Sequence, residues 1–284
     1  STTTIHGTRD ASALASCITY TGSIAIATDA VGEIAINKVE VITGNLTAYG
    51  VDGLISLSGD SLRSLDTFSL QTVPGLSTVR FPSISQINSL QWTGATNLTD
   101  IAFNITATSI QAVTVGDTSL GSLDKLGLQS LRYANEIRVI NNPHLQSFPL
   151  PRLYEVTSNL TFGDNGDRFD IPLPSLEIAE NVYLYNISSF SINMLKNVSN
   201  FLSVHNTNSE TILVSQLARV GSFLDLVGNT RWSEVAFPGF YEAGNILIDG
   251  SPNLTTLRLS TLQNAAGNVS LSGNFSELVL SPRE

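Results

Sequence analysis

Apolar and polar residues alternate along this chain in short bursts, and each burst closes on Gly, Asn or Asp. Clear copies are Asn159-Leu160-Thr161-Phe162-Gly163-Asp164, Asn181-Val182-Tyr183-Leu184-Tyr185-Asn186 and Asn245-Ile246-Leu247-Ile248-Asp249-Gly250. The first apolar residues of successive copies are Leu90, Val113, Ile137, Leu160, Val182, Leu202, Leu224, Ile246 and Val269. They stand 23, 24, 23, 22, 20, 22, 22 and 23 residues apart. A steady period of this size marks a repeat protein whose units bury their apolar faces only against their neighbours. Alternation within each copy predicts a strand with one face inward and one outward.

A second alternating segment follows about 11 residues later. Its copies include Val79-Arg80-Phe81, Leu126-Gly127-Leu128, Phe148-Pro149-Leu150, Ile212-Leu213-Val214, Val235-Ala236-Phe237 and Leu257-Arg258-Leu259. Each coil therefore holds two predicted strands. Proline has no backbone donor, so Pro82, Pro149, Pro151 and Pro238 predict that the second is irregular or only partly paired. The fourth position after each marked residue is Gly94, Asp117, Asn141, Asp164, Asn186, Asn206, Gly228, Gly250 or Gly273. These residue types tolerate positive φ, which predicts a tight corner stacked from coil to coil. The fold class is all-β, a right-handed parallel β-solenoid of about 22 residues per coil.

The start of the chain is less regular. Ile24 and Leu46 are 22 apart, and Leu46 to Leu90 is 44. The copy between them, read at Ile55-Ser56-Leu57-Ser58, is out of phase and predicts an insertion. Residues 10–17 predict a short helix, with Asp10 as N-cap and Leu14 and Cys17 three apart, covering the open end of the solenoid. The expected organisation is a single β-solenoid over 1–284, with 1–45 as cap and first coils and 46–284 as the repeat array. Two fused lobes are the alternative. Twelve or so coils at a strand spacing of roughly 4.8 Å predict a rod on the order of 60 Å long.

Composition narrows the function. Charged residues make up 13% of the chain, about half the usual share. Ser and Thr, 35 and 27 of 284, supply the polar surface instead. The formal net charge is −10 with no run of Lys or Arg, which argues against phosphate backbones and anionic lipid surfaces as partners. No apolar stretch approaches the roughly 18 residues of a membrane span. The polar first residues predict that a signal peptide is absent or already removed. One cysteine, Cys17, rules out a cysteine zinc site or a disulfide within these residues. It is either a small buried residue or half of a disulfide whose partner lies beyond Glu284.

Nine Asn-x-Ser/Thr acceptors lie at Asn45, Asn97, Asn104, Asn159, Asn186, Asn197, Asn253, Asn268 and Asn274. All nine have an apolar middle residue. On a strand such a centre points inward while Asn and the hydroxyl face solvent, which predicts a secreted glycoprotein.

Catalytic patterns are missing from the sequence. His6, His144 and His205 are the three histidines, and none sits at metal-ligand spacing. No Gly-x-Ser-x-Gly elbow or phosphate loop occurs. Glycoside hydrolysis needs two carboxylates on one face; Asp164 and Asp167 come nearest, and Asp164 falls on a corner. No catalytic residue, cofactor or metal site is expected. Tyr183 and Tyr185 face outward if Val182 and Leu184 face inward, making them candidate glycan contacts. Trp92 shares the side of Leu90 and is expected in the core.

Several stretches carry a family resemblance: Gly44-Asn45-Leu46, Ser89-Leu90-Gln91-Trp92, the run from Val115 to Asp124, Asn141-Asn142-Pro143-His144-Leu145 and Ser272-Gly273-Asn274-Phe275. Cys17 with Gly22-Ser23-Ile24 looks like the family's opening. The chain resembles the fungal GPI-anchored cell-wall organisation proteins related to the yeast sporulation-specific wall proteins. Their fold is similar to the receptor L-domain and to leucine-rich repeats. The resemblance implies a glycosylated protein of the cell wall and outer plasma-membrane face that supports wall integrity. It implies an ectodomain cut before a Ser/Thr-rich stalk and GPI signal, with that anchor as the only membrane link. The expected partner is wall polysaccharide or wall protein, not nucleic acid. The rival function is a polysaccharide-active β-helix lyase or hydrolase.

Overall fold

The marked apolar residues pair with one another, coil on coil. The structure is a computed structural model that describes residues 1–280. The chain divides into two compact units: Ser1–Leu131 with Arg138–Phe148, and Arg132–Ile137 with the residues from Pro149 on. Both are built from parallel strands stacked as a β-solenoid.

In the first unit the main sheet runs through Thr2–Ile5, Ser23–Ile26, Leu46–Tyr49, Ser64–Gln71, Gln86–Thr93 and Ser109–Gly116. Register places Ile24 beside Leu46, Leu46 beside Phe68, Phe68 beside Leu90, and Leu90 beside Val113. The copy between Leu46 and Leu90 is therefore Phe68, in phase, and there is no insertion. The out-of-phase stretch belongs to Leu54–Ser58, a strand of the second sheet, with Gly32–Ala35, Thr78–Arg80 and Asp100–Ala102. The strong alternation of Ile55–Ser58 drew the prediction to the wrong strand. Phe68 is buried where it meets Phe81, Trp92 and Phe103, at centroid distances of 5.2, 5.7 and 6.0 Å. Trp92 is in this core as expected.

The helix spans Thr8–Ala13 and continues as a 3₁₀ turn over Leu14–Ser16. It starts two residues before Asp10, which sits in the first turn; Gly7 is the N-cap. Asp10 Oδ2 accepts a hydrogen bond from the His6 N–H at 2.9 Å, so its carboxylate serves the helix N-terminus from inside the first turn. The helix packs on Thr2–Ile5 and Gly32–Ala35, early strands of the two sheets.

In the second unit the long strands are Glu155–Gly163, Ile178–Tyr185, Asn197–His205, Arg219–Val227 and Glu242–Asp249. Leu160, Val182, Leu202, Leu224, Ile246 and Val269 lie side by side across it. The second segments form shorter pieces: Asp170–Pro172 with Ser189–Ser191, and Thr211–Leu213, Glu234–Ala236, Thr256–Leu259 and Glu277–Leu280. Elsewhere that segment is not a strand at all. Leu126 and Leu128 lie in two 3₁₀ turns, and Phe148-Pro149-Leu150 forms a loop with both apolar side chains buried. Proline and Gly127, at φ 81°, prevent ladder pairing while leaving the inward side chain in place.

The corner is as the spacing predicts. Asp117, Asn141, Asp164, Asn186 and Asn206 have φ between 50° and 56°, and Gly94, Gly228 and Gly250 between 63° and 70°. Gly273 departs from the set. The Asn186 amide donates to Asp164 Oδ1 at 2.6 Å, and Asn141 to Asp117 at 3.3 Å. Asp164 thus has a corner role. One step inward lies a row the sequence reading did not pick out. Asn142 and Asn229 there are fully buried and hydrogen-bonded.

Candidate functional site

The outer face of the second unit's long strands gathers side chains able to meet a ligand. Alternation sends Val182 and Leu184 inward, both buried, and leaves Tyr183 and Tyr185 outward and half-exposed. The two tyrosines differ in what they touch. Tyr183 stacks with Phe201 of the next strand, centroids 6.4 Å apart and planes 25° apart. Tyr185 lies over the neighbouring strand's Gly163, where a Cβ would come within 2.1 Å of its ring. Any side chain at Gly163 would force the Tyr185 ring to shift.

Phe201 was missed in the sequence reading. It occupies the position before the marked residue, a row that runs Asn159, Asn181, Phe201, Phe223, Asn245. Counting back one from each marked apolar residue from Leu160 on would have exposed it: two adjacent coils put Phe where the coils on either side put Asn. Phe201 is 41% exposed, unusual for so large an apolar side chain. Asn181 and Asn245 use their amides on the Ser158 and Ser222 carbonyls at 3.2 and 3.1 Å, at irregularities of the ladder. Those Asn side chains hold the sheet, while Phe201 is exposed and Phe223 half-buried.

Beside the aromatic pair stand Ser203, His205 and Asp225. The His205 Nε2 lies 2.8 Å from Asp225 Oδ2 and 3.0 Å from Ser203 Oγ. A nucleophilic relay needs the carboxylate and the hydroxyl on opposite ring nitrogens. Here both meet the same one, so the trio ties two strands together and does not activate the serine. His144 is exposed on a corner, and His6 pairs at the surface with Asp29 at 2.9 Å. Among the described residues no group of three His, Cys, Asp or Glu side chains is placed to hold a metal ion. Cys17 is a free, half-buried thiol. No helix among the described residues is long and apolar enough to cross a membrane.

The nine glycosylation acceptors fall into two groups by their centres. Leu46, Leu98, Ile105, Leu160, Ile187, Val198 and Leu254 are buried. Val269 and Phe275, in the last coil, are exposed and half-exposed, because no described coil stacks on them. Asn97, Asn104, Asn186, Asn197, Asn253, Asn268 and Asn274 are exposed, and Asn45 and Asn159 are half-buried on strand faces. The Asn186, Asn253 and Asn274 amides are engaged with Asp164, Thr230 and Pro252.

The chain has relatives among fungal surface proteins. "Protein ecm33" of Aspergillus fumigatus is 28% identical over 98% of this chain and 69% of its own length. A "Cell surface GPI-anchored protein" of Arthroderma benhamiae is 26% identical over 98% of this chain and 71% of its own. "Sporulation-specific protein 2" of Saccharomyces cerevisiae is 22% identical over 94% of this chain and 53% of its own. No family model and no solved structure matches the chain.

Proposed function

The chain belongs to the fungal family of GPI-anchored cell-wall organisation proteins, and from that premise we propose that it is a non-enzymatic glycoprotein supporting wall organisation by holding wall polysaccharide. Its place is outside the cell, at the wall and cell surface. The stacked pair Tyr183 and Phe201 on an open strand face carries the reading. A pyranose ring presents a C–H face that packs on an aromatic ring, while its hydroxyls seek hydrogen-bond partners at the edge. The neighbouring positions Ser203 and Asp225, both half-buried, supply such partners in register with Tyr183. A shallow face of this kind suits a polymer, which is gripped at many weak points, better than a small molecule, which needs a concave site.

The test is retention of the purified chain on insoluble β-glucan and chitin, with Tyr183→Ala/Phe201→Ala as the variant. Reduced retention at an unchanged melting temperature is the expected result. Equal retention removes the aromatic pair from the reading, and retention on wall protein alone moves the partner to protein. Release of reducing ends from any of these polymers would replace the binding role with an enzymatic one.

A further inference from the structure

A second place in the second unit has a different chemistry. What marks it is two arginines on one groove; Arg9, Lys38, Arg138 and Arg168, which likewise form no ion pair among the described residues, do not line it. Among the described residues, Arg63, Arg80, Lys125, Lys196, Arg219, Arg231 and Arg258 each meet a carboxylate within 3.3 Å. Arg132 and Arg152 are exposed, form no ion pair among the described residues, and line one groove of about 540 Å³ together with Tyr154, Ser175, Glu177 and Met194. The groove's own carboxylate, Glu177, is held by Lys196 Nζ at 2.7 Å. Its charge is cancelled, and the two guanidinium groups are left as the net field. In a chain of net charge −10 this is a local exception.

The groove is held firmly. The Tyr154 N–H donates to the Arg132 carbonyl at 2.8 Å, Glu177 N–H to Tyr154 at 3.0 Å, and Lys196 N–H to Glu177 at 2.9 Å. One residue from each successive coil is thus locked in a column. Ser175 Oγ donates to the Pro151 carbonyl at 2.8 Å, which fixes the turn that carries Arg152. The Tyr154 ring is half-exposed and meets Tyr133 edge-on, at 6.1 Å and 74°. That contact fixes the orientation of the ring lining the groove.

We propose that this groove binds a sugar bearing an anionic group, a phosphate or a carboxylate, with Arg132 and Arg152 on the anion and Tyr154 against the sugar ring. A guanidinium presents a planar fork of donors that matches two oxygens of either anion, which a lysine ammonium does not. A groove of this volume falls in the range of small-ligand sites. The proposal does not depend on the outer-face aromatic pair, which lies on different residues and is read by polymer retention.

The full chain is titrated by calorimetry with mannose 6-phosphate, glucuronate, inorganic phosphate and mannose. At least one anionic sugar is expected to bind, more tightly than either inorganic phosphate or mannose. A complex with mannose 6-phosphate alone identifies the anion as phosphate, and with glucuronate alone as carboxylate. Arg132→Gln/Arg152→Gln is expected to weaken it about a hundredfold and Arg152→Lys, which keeps the charge and loses the fork, about tenfold. Arg168→Gln, an exposed arginine of the same unit outside the groove, should bind as the unaltered chain does. The proposal is overturned if neither anionic sugar binds, if mannose or inorganic phosphate binds as tightly, or if the double variant retains full affinity.

Discussion

Asn229 is buried beneath the corner of its coil and serves Thr207 of the preceding one. Its Oδ1 accepts from both the backbone N–H and the hydroxyl of Thr207, each at 3.0 Å. Its amide donates to the Val204 carbonyl at 2.7 Å. Asn142 and Thr118 repeat the arrangement in the first unit, at 3.1 and 2.6 Å. A corner in left-handed geometry breaks the strand ladder and leaves backbone groups facing inward. A buried side-chain amide is what satisfies them.

Asn229→Leu should therefore cost far more than its apolar volume suggests. It leaves the Thr207 N–H, the Thr207 hydroxyl and the Val204 carbonyl buried without their partner, a loss of about 3 kcal/mol or more. The exposed Asn208→Ala should stay within about 0.5 kcal/mol of the parent. Urea unfolding of both variants compares them, and equal midpoints would contradict the capping role.

Thr72 holds the same corner position as Gly50 and Gly94, with φ of 51°. A β-branched residue is strained there, and its side chain is exposed. Thr72→Asn should raise stability by about 1 kcal/mol, since Asn tolerates this region. A thermal melt reads it as a higher midpoint; a lower one would show that the Thr72 side chain is needed.

Asp100 joins two coils of the first unit. It accepts from Arg80 Nε at 2.9 Å and from Lys125 Nζ at 3.0 Å. The Arg80 hydrogen bond, then that of Lys125, holds its carboxyl below the ordinary value of 3.8. Because the folded-state pKa is depressed, the stabilisation is present above the unfolded value and is lost as pH falls through the folded one. The parent's melting temperature should therefore fall more steeply than that of Asp100→Asn below pH 3.8. Parallel pH profiles would mean the cluster is fully screened by solvent.

Glycan occupancy should follow exposure. Expressed in a eukaryotic secretory host, the chain should lose mass on glycosidase digestion. Peptide mapping should find sugar at Asn97, Asn104 and Asn197, which are exposed on buried centres Leu98, Ile105 and Val198. An unshifted mass would count against the outward placement of these acceptors serving secretion.

Much of the fold was legible because a solenoid writes its core into a period. Each coil stacks on the next with the same side chain facing in, so Leu160, Val182, Leu202 and Leu224 could be placed in register by counting. The corner was legible for the same reason: only Gly, Asn and Asp accept positive φ at little cost, and they recur at one position. The reading slipped where two periods overlap. Ile55–Ser58 alternates as strongly as a main-sheet strand, and nothing local shows that it pairs with Gly32–Ala35 instead.

By itself, then, the sequence determined the repeat, the inward rows, the corner and the sparse, acidic charge. These depend on residue type and spacing along one strand. Tertiary structure decided what lies between coils. It put Phe201 rather than Tyr185 face to face with Tyr183, placed Ser203 and Asp225 on one nitrogen of His205, and left Arg132 and Arg152 without an ion pair among the described residues. Contacts of this kind join residues some twenty positions apart, and their partners are set by ladder register and its irregularities. A shift of one residue would send each of these side chains to the opposite face.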